Sequence, residues 1–381
     1  MDNGVQTMQS AKINSDIEIL RAIAVLSVIA HHAVGNLVTK SPIWLRDLTH
    51  MFNGGAGVDL FFVISGFVIG RSYVSKMAFS EPNTHFTVTK SFFIRRAFRI
   101  YPLAWTWLAI TLLATYFFNS SGVFGSVTAN IEATIAGVFQ FANYRFEQTF
   151  MRKEYGASFV YWSLSLEEQF YIALPLVMVV FKRFALPVLA ILLAYKLYII
   201  DYHFGFRYEG LLMGVIFSQC LETKPYQRFK RSVANSSPNI IRLICYGCIG
   251  LMFITLGALS SEILSMSKFK YAAALGLIVI AFTSCNRNVL VNKGRLRNLL
   301  CWIGTRSFAL YLAHIPAFFI TREMSYLIFG RQQPDGASLF LFVLVGLLLP
   351  FLFADLSYRF IETPMRDAGI TLSKRKTHSS L

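Results

Sequence analysis

The stretch DIEILRAIAVLSVIAHHAVG, residues 16–35, is twenty residues long and almost entirely apolar, yet it carries Glu18, Arg21, His31 and His32. A helix that crosses the hydrocarbon core of a bilayer needs about 20 mostly apolar residues. The length therefore predicts a membrane span, and ionisable groups inside a span are functional candidates because burying them in lipid is costly. Eleven residues at 100° each return nearly to the starting azimuth, so Arg21 and His32 share one face, about 16 Å apart along the axis. His31 points away from that face. Glu18 precedes Arg21 by three residues and can pair with it. A blander reading has Glu18 and Arg21 marking one membrane interface and the two histidines the other.

The rest of the 381-residue chain resembles this stretch in character. Hydrophobic residues make up 55%, charged residues 15%, and the mean hydropathy is +0.52. A soluble chain carries about 25% charged residues, so most of this one is expected in lipid. Nine further apolar segments follow, near residues 54–70, 100–118, 160–181, 184–200, 208–221, 243–260, 270–285, 303–321 and 337–358. The expected architecture is an all-α polytopic membrane protein of about ten transmembrane helices with both termini cytoplasmic. Residues 1–16 form a cytoplasmic N-terminal segment, 17–366 the membrane domain, and 367–381 a flexible basic cytoplasmic tail.

The net charge of +16 would suggest nucleic acid in a soluble protein. With ten spans, well over half of the 36 Lys and Arg fall on inner segments, as the positive-inside rule requires. Counting residues 131–146 as an eleventh span would reverse that excess, so this piece reads as re-entrant or interfacial. Topology thus accounts for the charge, and no nucleic-acid partner is expected. Five scattered cysteines exclude a disulfide framework. Cys245 and Cys248 form a C-x-x-C within an apolar segment, better suited to packing than to metal or redox chemistry. The N-terminus lacks the basic region and cleavage site of a signal peptide, so insertion without cleavage is expected.

Counting rise per residue puts further titratable groups near the depth of His32. Asp59 lies just inside the second span, where it could orient the imidazole of His32. Glu167 and Glu168 open the fourth span; adjacent helical residues point about 100° apart, so one of them at most faces a cavity. Trp162 and Tyr161 suit an interfacial aromatic belt. Arg207 and Glu209 flank the mouth of the sixth span, and His314 lies in the ninth. On the cytoplasmic side Arg96 and Arg99 stand one turn apart, a spacing suited to phosphate oxygens or to an anionic-lipid anchor. Gly54, Gly55, Gly57 and Gly66 would let helices approach closely.

Seven strings carry a resemblance: IEILRAIAVLSVIAHHA with Arg21 and His32 in R-x10-H spacing, GVDLFFVISGFVI, RRAFRIYP, WSLSLEEQFY, RYEGLLMG, IGTRSFALYLAHIP and LSYRFIETPMR. In this order they resemble the acyltransferase-3 family of bacterial integral-membrane acyltransferases. The resemblance implies a multi-pass enzyme of the bacterial cytoplasmic membrane. It would transfer an acyl group, commonly acetyl from acetyl-CoA, to a hydroxyl of a cell-surface glycan or lipid-linked sugar. It implies Arg21 and His32 as an essential pair, Arg96 and Arg99 as a functional pair, and Glu167 as the acid of the fourth motif, with no metal. Trp162, Arg207, Glu209 and His314 are the expected acceptor contacts. Two departures stand out: His31 precedes the matching histidine, and no esterase-like extracytoplasmic domain of the kind some members carry is expected.

The expected mechanism docks the donor nucleotide on Arg96 and Arg99, with Arg21 near the start of the pantetheine path. His32, oriented by Asp59 or Glu167, acts as general base; a covalent acyl-His32 intermediate is the alternative. Acetyl, succinyl and longer donors remain open, as do the glycan classes. The competing class is a transporter or flippase of a lipid-linked sugar, which also places charges at mid-membrane depth. The absence of an internal repeat speaks against it.

Overall fold

A computed structural model describes residues 14–149, 152–199, 203–258, 262–285 and 288–378. Most of the N-terminal segment, residues 1–13, lies outside them. Among the described residues the chain is helical without a sheet. In order the helices are α1 (Ser15–Asn36), α2 (Ile43–Met51), α3 (Ala56–Ile69), α4 (Ser75–Phe79), α5 (His85–Phe117), α6 (Val127–Val138), α7 (Ala142–Thr149), α8 (Tyr161–Phe181) and α9 (Ala185–Tyr198). After them come α10 (Glu209–Cys220), α11 (Lys224–Asn235), α12 (Pro238–Ala258), α13 (Glu262–Thr283), α14 (Arg295–Thr305), α15 (Ser307–Phe329), α16 (Ala337–Ser357) and α17 (Thr363–His378).

Each of the ten apolar segments is helical. By length and composition, five helical stretches can cross a membrane: Ser15–Asn36, Ile43–Ala78, His85–Phe117, Tyr161–Tyr198 and Ala337–Lys374. The number rises to seven if two bent pairs, Lys224–Asn235 with Pro238–Ile254 and Arg295–Thr305 with Ser307–Phe329, each count as one span. The Tyr161–Tyr198 stretch is interrupted at Lys182, whose φ of 47° leaves the right-handed region and separates α8 from α9. On α8 the side chains of Ile172, Leu176 and Val180 are more than half exposed, an apolar face suited to lipid.

Residues 127–149 form the two short helices α6 and α7, broken between Val138 and Ala142 where Gln140 takes φ 59°. Neither is long enough to cross a bilayer: twelve residues rise about 18 Å. Asn130 and Arg145 are buried among hydrogen-bond partners of their own loop, Arg145 donating to the Tyr155 carbonyl at 2.8 Å, while buried Asn143 bonds Gln169 of α8 and the Gly205 carbonyl.

The expected flexible tail is instead helix α17, which packs along α5. Gly369 allows the contact, since a methyl group there would stand 2.6 Å from Phe98 Cβ, and Arg95 donates to Ser373 Oγ at 3.4 Å. A polar composition looked like a solvated end, but a small residue facing an aromatic ring docks it.

The core falls into two apolar clusters that meet along α1 and α3. Glycines set the closest crossings. A methyl at Gly66 of α3 would lie 2.1 Å from the Leu211 carbonyl oxygen, and one at Gly214 of α10 would lie 2.3 Å from that of Val63. Gly54 and Gly57 likewise press on α1 at Ser27 and Ala24, while Gly55 meets only neighbouring Asn53. At the other end of α1, Gly304 rests on the Glu18 backbone, its would-be methyl 1.9 Å from that carbonyl oxygen. Asp16 fastens the start of α1 by accepting from Val289 N at 2.9 Å and Arg297 Nη1 at 3.3 Å. Helix α1 is thereby held at both ends, which fixes its Arg21–His32 face.

Candidate active site

That face is bordered by two cavities. The one at the Arg21 end is lined by Arg21 from α1, Ser65 from α3, Arg96 and Arg99 from α5, Glu167 from α8 and Tyr311 from α15. Three guanidinium groups from two helices thus face one carboxylate across a shared space. Arg21 Nη1 donates to Glu18 Oε1 at 2.7 Å, the pairing its i, i+3 spacing allows. Arg96 lies over the Tyr171 ring, 4.4 Å from its centroid, and donates to its hydroxyl at 3.3 Å. The neighbouring Arg95 turns away to Ser91 and α17. The two adjacent glutamates divide as helical geometry requires. Glu167 lines the cavity beside Ser65 and the three arginines, whereas Glu168 is buried against Tyr101.

Glu362 was not singled out in the sequence. It is buried in a widened helical turn, Tyr358–Glu362, and its charge bears on Arg99, Arg366 and Arg21. Its motif string LSYRFIETPMR was the only available signal.

The second cavity lies at the His32 end and is the more open of the two. His31, His32 and Asn36 of α1 form one side, and Lys153, Tyr155 and Phe159 of the loop before α8 form the other. Burial pushes the Tyr155 phenol up to about 12 although Arg145 pulls it down, so it stays a neutral hydroxyl at physiological pH.

His32 meets His314, not Asp59 or Glu167. His32 Nδ1 and His314 Nε2 are 2.9 Å apart with ring planes 18° from parallel. The other nitrogen of His314, Nδ1, lies 2.7 Å from the Tyr311 carbonyl oxygen. A carbonyl only accepts, so Nδ1 of His314 carries the proton. A neutral His314 then has an accepting Nε2, and His32 donates to it through Nδ1. The lone pair of His32 is left on Nε2, the state a general base needs. Because 282 residues separate the two histidines, no local pattern could have paired them.

Asp59 is bound elsewhere. It accepts from Arg207 Nη1 at 3.3 Å, and the guanidinium stacks on Phe269 at 3.7 Å and on Trp162 at 5.0 Å. Glu209 pairs with Lys196 at 3.7 Å. All four charged groups are buried, and none lines either cavity. The depth count placed Asp59 near His32, but α3 packs with Gly57 against Ala24 and Ser27, which lowers Asp59 along α1. Trp162 and Tyr161 are also buried rather than interfacial. The Tyr161 hydroxyl donates to the Ala104 carbonyl at 2.7 Å, and α6 and α7 cover the start of α8.

The two cavities share no lining residue, and aromatic rings connect the walls of one to those of the other. Trp162 stands between Phe62 of the arginine cavity and Phe146 of the histidine cavity, at 6.2 and 5.7 Å between centroids. Tyr311 stands between Phe61 and His314, at 6.3 and 5.7 Å. Among the described residues no group of three or more His, Cys, Asp or Glu is placed to hold a metal ion.

The acyltransferase-3 family model, described as an acyltransferase domain, matches residues 14–359. The chain is 29% identical over 95% of its length to the peptidoglycan O-acetyltransferase OatA of Listeria monocytogenes. It is 30% identical over 92% to a putative O-acetyltransferase of Staphylococcus aureus strain COL, and 26% over 94% to the putative peptidoglycan O-acetyltransferase YrhL of Bacillus subtilis. It spans 57%, 57% and 55% of those three proteins, respectively. No solved structure matches it. With the family match running from the start of α1 to the turn after α16, the chain belongs to the acyltransferase-3 family.

Proposed function

We propose that the chain is a membrane O-acyltransferase that takes an acyl group, acetyl in the first instance, from acyl-CoA at the arginine cavity. It passes the group to a glycan hydroxyl at the histidine cavity. The observation that carries this reading is that His32, bonded through Nδ1 to His314, lines one cavity while three arginines line the other. Arg96, Arg99 and Arg21 hold the phosphates and the start of the pantetheine arm. That arm is about as long as the 16 Å rise from Arg21 to His32.

In the transfer, His32 Nε2 takes the proton of the acceptor hydroxyl as its oxygen attacks the thioester carbonyl. The C–O bond forms, the C–S bond breaks, and the proton ends on the departing thiolate. His314 and the Tyr311 carbonyl steady the imidazolium that forms between these events. Attack by His32 itself, giving an acyl-histidine, is the alternative order. Glu167 positions the arginines. Asp59, Arg207, Glu209 and Trp162 act from behind the cavity walls, as a buried clamp between α3, α10 and α8.

Two of the three relatives are named for peptidoglycan, which supports a cell-wall glycan as acceptor. We place the chain in the bacterial cytoplasmic membrane with ten spans and both termini cytoplasmic. The helical state of every apolar segment and the break at Lys182 support that count.

The test is acyl transfer from labelled acetyl-CoA to glycan by the protein in lipid. Wild type should transfer label and His32→Ala should not, whereas His31→Ala should remain within a few-fold of wild type. Label transfer undiminished in His32→Ala would sink the mechanism. Movement of a lipid-linked sugar without thioester consumption would favour a carrier.

A further inference from the structure

If the chain is an acyltransferase, the reading on which the gate argued below depends, thioester and hydroxyl approach His32 from opposite cavities. The aromatic rings that connect the cavity walls must therefore open once per turnover. Trp162 and Tyr311 are held very differently. Trp162 is gripped by Phe62 and Phe146 on its sides and by the Arg207 guanidinium on its face, and Arg207 is itself ion-paired to Asp59. Tyr311 lines the arginine cavity directly, and two contacts tie its hydroxyl. It donates to the Val160 carbonyl at 3.0 Å and lies 2.6 Å from Ser163 Oγ, which lines the same cavity. Since the carbonyl takes the phenolic proton, Ser163 is the donor to Tyr311. Behind the ring stands His314, bonded to His32. Displacing the Tyr311 ring therefore joins the arginine cavity to the His32 pair and requires two hydrogen bonds to break.

We propose that Tyr311 is the gate between donor and acceptor cavities and the residue that limits donor acyl length. An acetyl thioester passes when the ring swings aside; a longer chain meets the ring and its Ser163 and Val160 ties. The closed ring also keeps acceptor-side water from the waiting thioester. Tyr311 acts by position, without taking or giving a proton in the transfer.

The experiment measures thiol release from acetyl-CoA and butyryl-CoA by the full chain in lipid nanodiscs, with and without glycan acceptor. Tyr311→Phe and Ser163→Ala keep the ring but cut its ties. Each lost bond should raise acceptor-independent release, in which water replaces the glycan hydroxyl and yields free acid and thiol, by about 3- to 10-fold. Tyr311→Ala should also shift the butyryl-to-acetyl rate ratio by about tenfold towards butyryl, the scale of a few buried methylenes. A purely structural role for Tyr311 would lower all rates together and leave both ratios unchanged. If wild type turns over acetyl-CoA, yet acceptor-independent release does not rise in Tyr311→Phe and Ser163→Ala and the butyryl-to-acetyl ratio does not move in Tyr311→Ala, the gate is wrong. If wild type consumes no acyl-CoA at all, the acyltransferase reading falls, and the gate with it.

Discussion

His314 accepts a hydrogen bond from His32 at 2.9 Å while donating its own proton to the Tyr311 carbonyl at 2.7 Å. The carbonyl at the end of this chain fixes both tautomers, in the way a carboxylate orients histidine in better-known base pairs. Losing His314 should then cost rate rather than donor affinity. His314→Ala is expected to lower kcat at least 100-fold, about 2.7 kcal/mol of barrier, with KM for acyl-CoA nearly unchanged. His314→Gln, whose amide oxygen can accept the same bond, should recover part of the loss. Steady-state kinetics on the two variants checks both statements.

The arginines should behave oppositely. Arg96→Ala and Arg99→Ala each remove a guanidinium from the arginine cavity. They are expected to raise the acyl-CoA KM by about 10- to 100-fold, the range for one lost charge-assisted contact. Arg95→Ala, whose side chain turns to Ser91 and Ser373, should leave KM within twofold. Isothermal titration with coenzyme A gives the same ranking without turnover.

Asp59 offers a test of structural against chemical roles. Asp59→Asn removes the carboxylate that ion-pairs with the buried Arg207, a loss typically worth 3 to about 5 kcal/mol. The thermal midpoint in detergent should fall sharply. Removing both charges in Asp59→Leu with Arg207→Met should restore most of the midpoint and much of the activity. A double variant that is stable but inactive would return Asp59 to the chemistry.

The α3–α10 crossing predicts intolerance to side chains of any size. Gly66→Leu would drive atoms into the Leu211 backbone, 2.1 Å from where a methyl would already stand. Overpacking of this kind costs about 1 to 3 kcal/mol or more. Lower yield of monodisperse protein in Gly66→Leu than in Gly247→Leu, where no neighbour lies within 4 Å, is the expected outcome.

Periodicity records what lies within one helix, and that is the part of the molecule the sequence made legible. Hydropathy located the apolar helical segments because each is encoded within its own twenty or so residues, although only five to seven of the helical stretches are long and apolar enough to span. The Glu18–Arg21 pair, the shared face of Arg96 and Arg99, and the split between Glu167 and Glu168 are likewise properties of single helices. Partnerships between helices were not legible. Depth put Asp59, Glu167 and His314 in one layer with His32 and favoured a carboxylate as its partner; His32 bonds His314. Asp59 was matched to His32 and bonds Arg207. Rise per residue gives depth along one axis, but it gives neither the axial offset between two helices nor their relative rotation. Trp162 shows the same gap, since an aromatic near the end of a span suits an interface equally well as a core position. Tyr311 carried no signal of its own, because a tyrosine in an apolar run announces neither a wall nor a gate.

The rings between the two cavities have an electrical consequence. Two cavities that reached one another through a membrane-spanning bundle of helices would make a pore, and a membrane that holds an ion gradient does not tolerate a standing pore. In the proposed membrane placement, much of the membrane potential would drop across Trp162, Tyr311 and His314. A variant that removes one of these rings, such as Trp162→Ala, would register as an ion conductance in a planar bilayer before any glycan was analysed.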